Sequence, residues 1–220
     1  MATMTIAEQV RAMHAEMAAH QASEVMSAFA REQAERAEAG IPGGVLIPGS
    51  LLPDADLLNA QGRATTLYAA TGGRPAVIVF YRGAWCPYCN LALSHYQAQL
   101  LPQLDRRAVA LVAISPQTPD ESLNMQQKND LGFAVLSDPG NILAGHIGIL
   151  TTPTPEARAA QLRLGLDLTT VNADATIALP MPATLVLDPD LVLRWIDVHP
   201  DYSTRSETGE ILAALDRAGR

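Results

Sequence analysis

Two unbroken apolar runs constrain the fold of this chain more than any other feature of its sequence. Residues 75–81 read PAVIVFY and residues 109–114 read VALVAI. Runs of this length without polar alternation predict strands that are buried on both faces of a sheet. The leucines of residues 91–104 are spaced as in a helix. The three segments together therefore predict a strand, a helix and a second strand, as in α/β proteins.

The rest of the chain continues this alternation of strands and helices. We interpret residues 151–179 as an irregular insertion and residues 59–62 as a turn between two short strands. The other predicted elements are a helix over 122–131, a short strand over 133–136, a helix over 141–150, strands over 184–187 and 191–198, and a closing helix over 208–217. The last two strands form a hairpin, so the expected fold class is α/β with a mixed central sheet flanked by helices.

A helical extension precedes this domain. Residues 3–39 are predicted to be helical, with Ile6, Val10, Met13 and Met17 on one apolar stripe. The pattern ends in a segment rich in Pro and Gly. We therefore divide the chain into an N-terminal helical arm, residues 1–40, and a domain over residues 45–220. The stripe has two interpretations, packing on the arm's own domain or contact with a second copy in a homodimer.

Charge and composition exclude several classes of partner. The net charge is −8, so the chain offers no basic patch for nucleic acid or an anionic membrane. No apolar run approaches the roughly 18 residues of a membrane span, and the N-terminus lacks the apolar region of a secretory signal. We therefore expect a cytoplasmic protein.

Both cysteines of the chain lie in the segment AWCPYC, which joins the first buried strand to the following helix. Pro87 suits the first position of a helix, which makes Cys86 the N-cap and places Cys89 at the third helical position. Both sulfurs would then lie at the positive end of the helix, where a thiolate is stabilised. Trp85 is expected to cover the pair, and Arg82 to add positive potential if it points inward.

Two other interpretations of the cysteines are weaker. A zinc site needs four ligands, but there is no further cysteine and the five histidines are scattered. Two structural cysteines would not call for a proline at the first helical position. We therefore predict a redox-active dithiol with no metal and no cofactor, because a C-x-x-C at a strand–helix junction is typical of such sites.

Pro182 is the remaining candidate in the domain. It opens the strand in LPMPATLVLD, residues 179–188. A proline in that position is a candidate cis peptide, and an ordinary trans edge proline is the alternative.

These segments resemble the thioredoxin superfamily, in which a W-C-x-x-C follows the first long strand and a cis-proline, here at Pro182, faces the cysteines. Within it, residues 46–215 resemble the peroxiredoxins and peroxiredoxin-like proteins of the AhpC/TSA family. The N-terminal arm lies outside the resemblance. The matching blocks are LLPDADLLNAQGR, VIVFYRGAWCPYC, AISPQTPDE, GFAVLSDP and ATLVLDPDLVLRW. The resemblance implies a thioredoxin-like fold, a peroxide substrate and a thioredoxin-like reductant.

The resemblance leaves open which sulfur attacks. The peroxiredoxin pattern places Cys89 at the peroxidatic position, with Cys86 in place of a Thr and Arg82 in place of a Pro. The thioredoxin pattern makes Cys86 the nucleophile. Greater exposure is expected for Cys86, since an N-cap lies at the edge of a helix. Arg194, in a late strand, is a lesser candidate for the family arginine that lies near the peroxidatic cysteine.

Three functions remain open on this basis. The first is a thiol peroxidase that cycles between a dithiol and a Cys86–Cys89 disulfide, and the second is a protein-disulfide oxidoreductase. The third is a redox sensor, in which the disulfide would switch the helical arm between partners.

Overall fold

The structure is a computed structural model that describes residues 4–20 and 24–219. The arm consists of two helices, and nine short strands alternate with eight further helices in the rest of the described chain. The strands are β1 (Asp56–Asn59), β2 (Ala64–Thr66), β3 (Ala76–Phe80), β4 (Ala110–Ser115), β5 (Ala134–Ser137), β6 (Leu150–Thr151), β7 (Leu179–Pro180), β8 (Ala183–Leu187) and β9 (Leu193–Val198). The helices are α1 (Ile6–His20), α2 (Glu24–Ala39), α3 (Leu67–Thr71), α4 (Pro87–His95), α5 (Leu101–Asp105), α6 (Pro119–Lys128), α7 (Ile142–Ile147), α8 (Pro155–Arg163), α9 (Leu168–Val171) and α10 (Thr208–Ala218).

Seven strands form a mixed sheet in the order β2-β1-β5-β4-β3-β8-β9. The strands β3 and β4 pair in parallel, as do β4 and β5, whereas the β8–β9 hairpin adds two antiparallel pairings. Strands β6 and β7 form a separate antiparallel pair. The predicted α/β class with a mixed central sheet flanked by helices is confirmed.

The burial of β3 explains its uninterrupted apolar sequence. Every residue of β3 is buried. Val77 and Val79 lie in a core cluster with α4, α10 and α1, while Ile78 and Phe80 lie in a second cluster with α3 and α7. Because successive strand residues point to opposite faces and both faces are covered, no position of the strand is left for a polar residue.

The arm packs on its own chain. Ile6 and Val10 are buried in the same cluster as α4, and Met13 packs against it. Burial of such side chains is worth roughly 1.5–3 kcal/mol each, so α1 is anchored on the helix that carries the cysteines. Parts of the predicted helical arm lie outside the described residues, namely residues 1–3, residues 21–23 and the side chain of Met17. The division at residues 40 and 45, and a homodimer contact through the arm, stay predictions.

Two predictions about the elements need correction. Residues 151–179 are not irregular, since they contain α8 and α9. The helix predicted over 91–104 continues from the turn that begins at Pro87, as predicted for that proline, but it is not one regular α-helix, since it contains one π-helical turn, Tyr96–Leu100, before α5. Among the described helices, none has both the length and the apolar character that would let it cross a membrane.

Candidate active site

The two cysteines lie at the start of α4, directly beyond the end of the buried strand β3. Cys86 is the N-cap with φ −85° and ψ 115°, and Pro87 is the first helical residue. Cys89 is therefore the third helical residue, as predicted from the sequence. The structure places the pair at the carboxyl end of a central strand, the edge of an α/β sheet at which ligands usually bind.

Side chains from elsewhere in the fold hold the loop before α4 in place. The amide of Asn90 donates to the carbonyl oxygens of Ala84 at 2.7 Å and Cys86 at 2.8 Å. The Ala84 N–H donates to Oε1 of Gln117 at 2.5 Å. The carbonyl oxygen of Cys86 also accepts from the backbone N–H groups of Cys89 and Asn90, so the position of Cys86 is set by contacts on both sides.

Neither sulfur lies at the surface. Cys86 is 1% exposed and Cys89 is 0% exposed, and both are free thiols. The expected order, with Cys86 more exposed than Cys89, corresponds to a difference of only 1%, and the N-cap position does not leave Cys86 open at the surface. The reason is that the arm and the loop after β9 cover the N-terminal end of α4, which a helix in isolation would leave open.

Arg205 approaches Cys89 from the loop between β9 and α10. Its Nη2 donates to Cys89 Sγ at 3.0 Å, and its Nη1 donates to the carbonyl oxygens of Tyr202 at 2.7 Å and Thr204 at 2.5 Å. The Arg205 residue is itself buried. A buried guanidinium with these fixed partners is a preorganised counter-charge for a thiolate.

The two thiols differ in acidity. Burial alone would raise the pKa of Cys89, but the hydrogen bond from the Cys86 thiol, the charge of Arg205, and the backbone hydrogen bond and charge of Arg82 outweigh it and lower the pKa of Cys89 to about 5. Burial, the hydrogen bond to Cys89 and the negative charge of Cys89 raise the pKa of Cys86 above its ordinary value. The prediction that the helix end lowers both pKa values is therefore wrong for Cys86.

Arg82 and Trp85 line the same pocket as Cys86, and that Trp85 covers the pair of cysteines stays a prediction. The guanidinium of Arg82 stands 3.7 Å from the ring centroid of Tyr202 and 5.1 Å from that of Trp85. Arg82 is buried, so the prediction that it points inward is confirmed. The guanidinium of Arg82 therefore makes cation–π contacts with both rings. Such contacts are stronger where water is excluded.

Pro182 and Arg194 do not take the positions that the resemblance implied. No peptide bond of the described chain is cis, so Pro182 is a trans proline. It lines a small crevice with Arg82 and Tyr202. Arg194 lies partly exposed on β9, where it pairs with Asp188 at 2.5 Å. The arginine at the cysteines is Arg205, from the loop that follows β9.

The arm reaches the turn that separates the cysteines. The hydroxyl of Tyr88 is hydrogen-bonded to Nε2 of His14 at 2.8 Å and accepts a bond from Nε2 of Gln33 at 3.3 Å. His14 lies on α1 and Gln33 on α2, so both arm helices contact the residue between Pro87 and Cys89.

A pocket of about 280 Å³ opens next to Cys86. Its wall comes from four parts of the chain, namely α2, the loop and first turn around Cys86, the segment from α8 to Leu166, and the loop after β9. The lining residues are Met26, Phe29, Gln33, Arg82, Trp85, Cys86, Pro87, Tyr88, Gln161, Leu164, Leu166 and Tyr202. Cys89 is not among them, so Cys86 is the sulfur that faces the pocket and Cys89 lies behind it.

Several of these residues have no signal in the sequence. Arg205 and Tyr202 follow β9 in HPDYSTRSE, a segment whose polar composition is typical of an exposed loop. Gln161 belongs to a stretch that we interpreted as irregular. Arg205 and Cys89 are more than a hundred residues apart in the sequence. No local sequence pattern indicates a contact over that separation.

Comparisons with known proteins agree with this architecture. A model of the AhpC/TSA family matches residues 48–196, more than half of the chain. The Haemophilus influenzae protein that carries the name peroxiredoxin Bcp is 29% identical over 101 residues, which are 46% of this chain and 64% of that protein. The chain thus spans less than two thirds of the length of this relative.

Solved structures with a similar fold include three proteins named for peroxide chemistry. Peroxidoxin BcpB of Mycobacterium tuberculosis is 19% identical with a TM-score of 0.57, over 78% of this chain and 92% of that one. A peroxiredoxin 6 variant of Arenicola marina is 18% identical with a TM-score of 0.60, over 78% and 72%. A thiol peroxidase of Chromobacterium violaceum is 17% identical with a TM-score of 0.58, over 82% and 92%. At these identities the likeness is one of fold.

Proposed function

Because this chain belongs to the AhpC/TSA family, we propose that it is a thiol-dependent peroxidase that reduces hydrogen peroxide or organic hydroperoxides through Cys86 and Cys89. The observation that carries the proposal is the contact of 3.0 Å between the Arg205 guanidinium and Cys89 Sγ. A thiolate is the nucleophilic form of cysteine. With a pKa of about 5, Cys89 is a thiolate at neutral pH.

Cys89 is the attacking sulfur in this proposal. Its thiolate attacks the terminal oxygen of the hydroperoxide, the O–O bond breaks, and the remaining oxygen leaves with a proton as an alcohol or as water. Cys89 is thereby oxidised to a sulfenic acid. The Cys86 thiol, which donates a hydrogen bond to Cys89, is positioned to protonate the leaving oxygen.

Cys86 is the resolving thiol. Having given its proton to the leaving oxygen, Cys86 attacks the sulfenic sulfur of Cys89 as a thiolate, the S–O bond breaks, the hydroxide takes a proton from solvent and leaves as water, and a Cys86–Cys89 disulfide forms. Because Cys86 faces the pocket, a thioredoxin-like dithiol would attack that sulfur and release Cys89 as the leaving thiolate. A leaving thiolate of low pKa favours this direction of exchange.

The alternative function, a protein-disulfide oxidoreductase, has less support. Attack on a protein disulfide requires a nucleophilic sulfur that can meet a bulky partner. The more acidic thiol, Cys89, is 0% exposed, whereas a peroxide is small enough to reach it after a slight movement of Cys86. A redox-sensor role would require that oxidation changes the arm, and the contacts of Tyr88 with α1 and α2 are the ones through which it would act.

Single-turnover oxidation of the reduced protein by hydrogen peroxide tests the proposal. We expect the wild type to react orders of magnitude faster than a free thiol, with a change in the fluorescence of Trp85, which adjoins the dithiol. Cys86→Ser should react and retain a sulfenic acid on Cys89 that a dimedone-type reagent traps. Cys89→Ser should react no faster than a free thiol.

Trp85→Phe is the control for the fluorescence signal, with oxidation followed by intact-protein mass instead. A wild-type rate equal to that of a free thiol would reject the peroxidase. A trapped sulfenic acid on Cys86 in the Cys89→Ser variant, formed at the wild-type rate, would reverse the two roles.

A further inference from the structure

The pocket beside Cys86 is larger than hydrogen peroxide requires. Its volume of about 280 Å³ compares with a share of about 30 Å³ for one water molecule in the liquid. It lies near the lower end of the range for small-molecule sites, roughly 300–1,000 Å³. Much of its wall is apolar, and Met26, Phe29, Leu164 and Leu166 provide that part. The shape and lining suit an organic molecule with an apolar body.

Two elements outside the cysteine loop build this wall. Met26 and Phe29 belong to α2 of the arm, and Leu164 and Leu166 follow α8. The helices α2 and α8 pack on each other, and a salt bridge of 3.3 Å between Glu24 and Arg163 joins them at the surface. The pocket therefore exists because the arm lies over the active-site end of the domain.

Gln161 brings an unpaired polar group to this pocket. It lies on α8, is 2% exposed and lines the cavity. Neither its Oε1 nor its Nε2 has a hydrogen-bond partner within the described part of the chain, and the same holds for Nε1 of Trp85 in the same wall. Buried amides in native proteins are almost always paired, since an unpaired one loses its hydration without compensation. Because both atoms are buried in the free protein, a rotation of the Gln161 side chain would turn this free donor and free acceptor toward a ligand in the cavity that the residue lines.

We propose that Gln161 is a substrate-binding residue, and that the preferred substrates are organic hydroperoxides with an apolar body that carries an amide group. The proposal rests on the proposed peroxidase function. An amide of the substrate would donate to Oε1 of Gln161 and accept from Nε2, which satisfies both free atoms. The apolar body would contact the wall of α2 and Leu166, with the hydroperoxide directed past Cys86 toward the thiolate of Cys89. Hydrogen peroxide can make only part of these contacts.

A pair of unreactive ligands isolates binding from chemistry. Cumyl alcohol and its para-carboxamide derivative are the reduction products of the corresponding hydroperoxides, and they differ only in the amide. Binding to the reduced protein is followed by calorimetry and by tryptophan fluorescence. We expect the carboxamide to bind about tenfold more tightly than cumyl alcohol, the factor that one or two net hydrogen bonds supply.

The variant Gln161→Met removes the amide but keeps the length of the side chain, and Gln127→Met is its matched control on the exposed face of α6. We expect Gln161→Met to lose the tenfold preference and Gln127→Met to keep it. Replacing an unpaired buried amide by an apolar group is compatible with folding, and far-ultraviolet circular dichroism verifies it. A preference that persists in Gln161→Met, equal affinity for both ligands in the wild type, or no binding of either ligand would overturn the proposal.

The kinetic counterpart uses cumene hydroperoxide, its para-carboxamide derivative and hydrogen peroxide. We expect the ratio of the rate constants for the carboxamide and for cumene hydroperoxide to fall about tenfold in Gln161→Met. If none of the peroxides reacts faster with the protein than with a free thiol, the proposed function fails, while the binding measurement still decides the assignment of Gln161. If all react fast and the ratio is one in the wild type, the function stands and the substrate class fails.

Discussion

Arg205 should control the acidity of Cys89. Two unit charges about 4 Å apart interact by about 4 kcal/mol at an effective dielectric constant of 20. One pKa unit corresponds to about 1.36 kcal/mol, so this interaction amounts to about three units. In Arg205→Gln the charge is removed, while Arg82 and the hydrogen bond from Cys86 remain. We therefore expect the pKa of Cys89 to rise by about two to three units from its value of about 5.

The pH dependence of the ultraviolet absorbance of the thiolate measures this shift in the reduced protein. The wild type should already absorb as a thiolate at pH 7, and Arg205→Gln should reach the same absorbance only at higher pH. The rate with hydrogen peroxide at pH 7 should fall with the thiolate fraction and recover partly as the pH rises. Circular dichroism verifies that Arg205→Gln is folded.

Arg194→Gln is the matched control for this experiment. Arg194 lies on β9, within the hairpin that Arg205 follows, and pairs with Asp188, so its removal should leave the titration of Cys89 unchanged. Equal titration curves for the wild type and Arg205→Gln would refute the electrostatic reasoning. An equal shift in Arg194→Gln would show that general charge, and not the contact with the sulfur, sets the pKa.

Three further perturbations test other contacts of the structure. Cys89 has a folded pKa below its ordinary value, so its stabilisation is complete above pH 9.0 and is lost as the pH falls to about 5. Between pH 5 and pH 9, the difference in unfolding free energy between the reduced wild type and Cys89→Ala should rise by up to about 1.4 kcal/mol per pH unit, as measured by urea titration. Parallel pH profiles for the two proteins would contradict a lowered pKa of Cys89. In Gly83→Ala the new Cβ would lie 2.3 Å from Nε1 of Trp85, so we expect a loss of about 1–3 kcal/mol and altered tryptophan fluorescence, whereas an unchanged thermal midpoint would argue against this close approach. Glu207 accepts hydrogen bonds from two backbone N–H groups at the start of α1 and caps α10. Glu207→Ala should therefore lower the unfolding free energy by about 1–2 kcal/mol and speed amide hydrogen exchange in α1. Exchange rates equal to those of the wild type would show that other contacts hold the arm.

The geometry of the dithiol was predictable because its causes are local. Pro87 occupies the first helical position, and this single residue places Cys86 at the N-cap and Cys89 in the first turn. The unbroken run that forms β3 likewise predicts a buried central strand, since a strand covered on both faces has no polar position. The sequence segments that resemble the AhpC/TSA family also predict the order of strands and helices.

The electrostatics of the pair were not predictable in this way. The positive end of the helix, taken alone, predicts a lowered pKa for both thiols. In the fold, burial opposes ionisation of each sulfur, and only Cys89 receives the compensation from Arg205. The prediction for Arg194 was wrong for a related reason. It rested on the position of this arginine in a late strand, whereas the side chain that contacts the sulfur depends on the tertiary fold.

The α/β class, the two central strands and the position of both cysteines on one helical turn follow from local sequence, because each depends on neighbours within a few residues. Which sulfur is the more acidic, and which faces a pocket, depends on how distant segments of the chain fold together. Those properties depend on Arg205, which lies 116 residues from Cys89, and on the arm and α8 that close over the turn. Burial and a counter-charge result from contacts between distant segments, and a linear pattern contains neither.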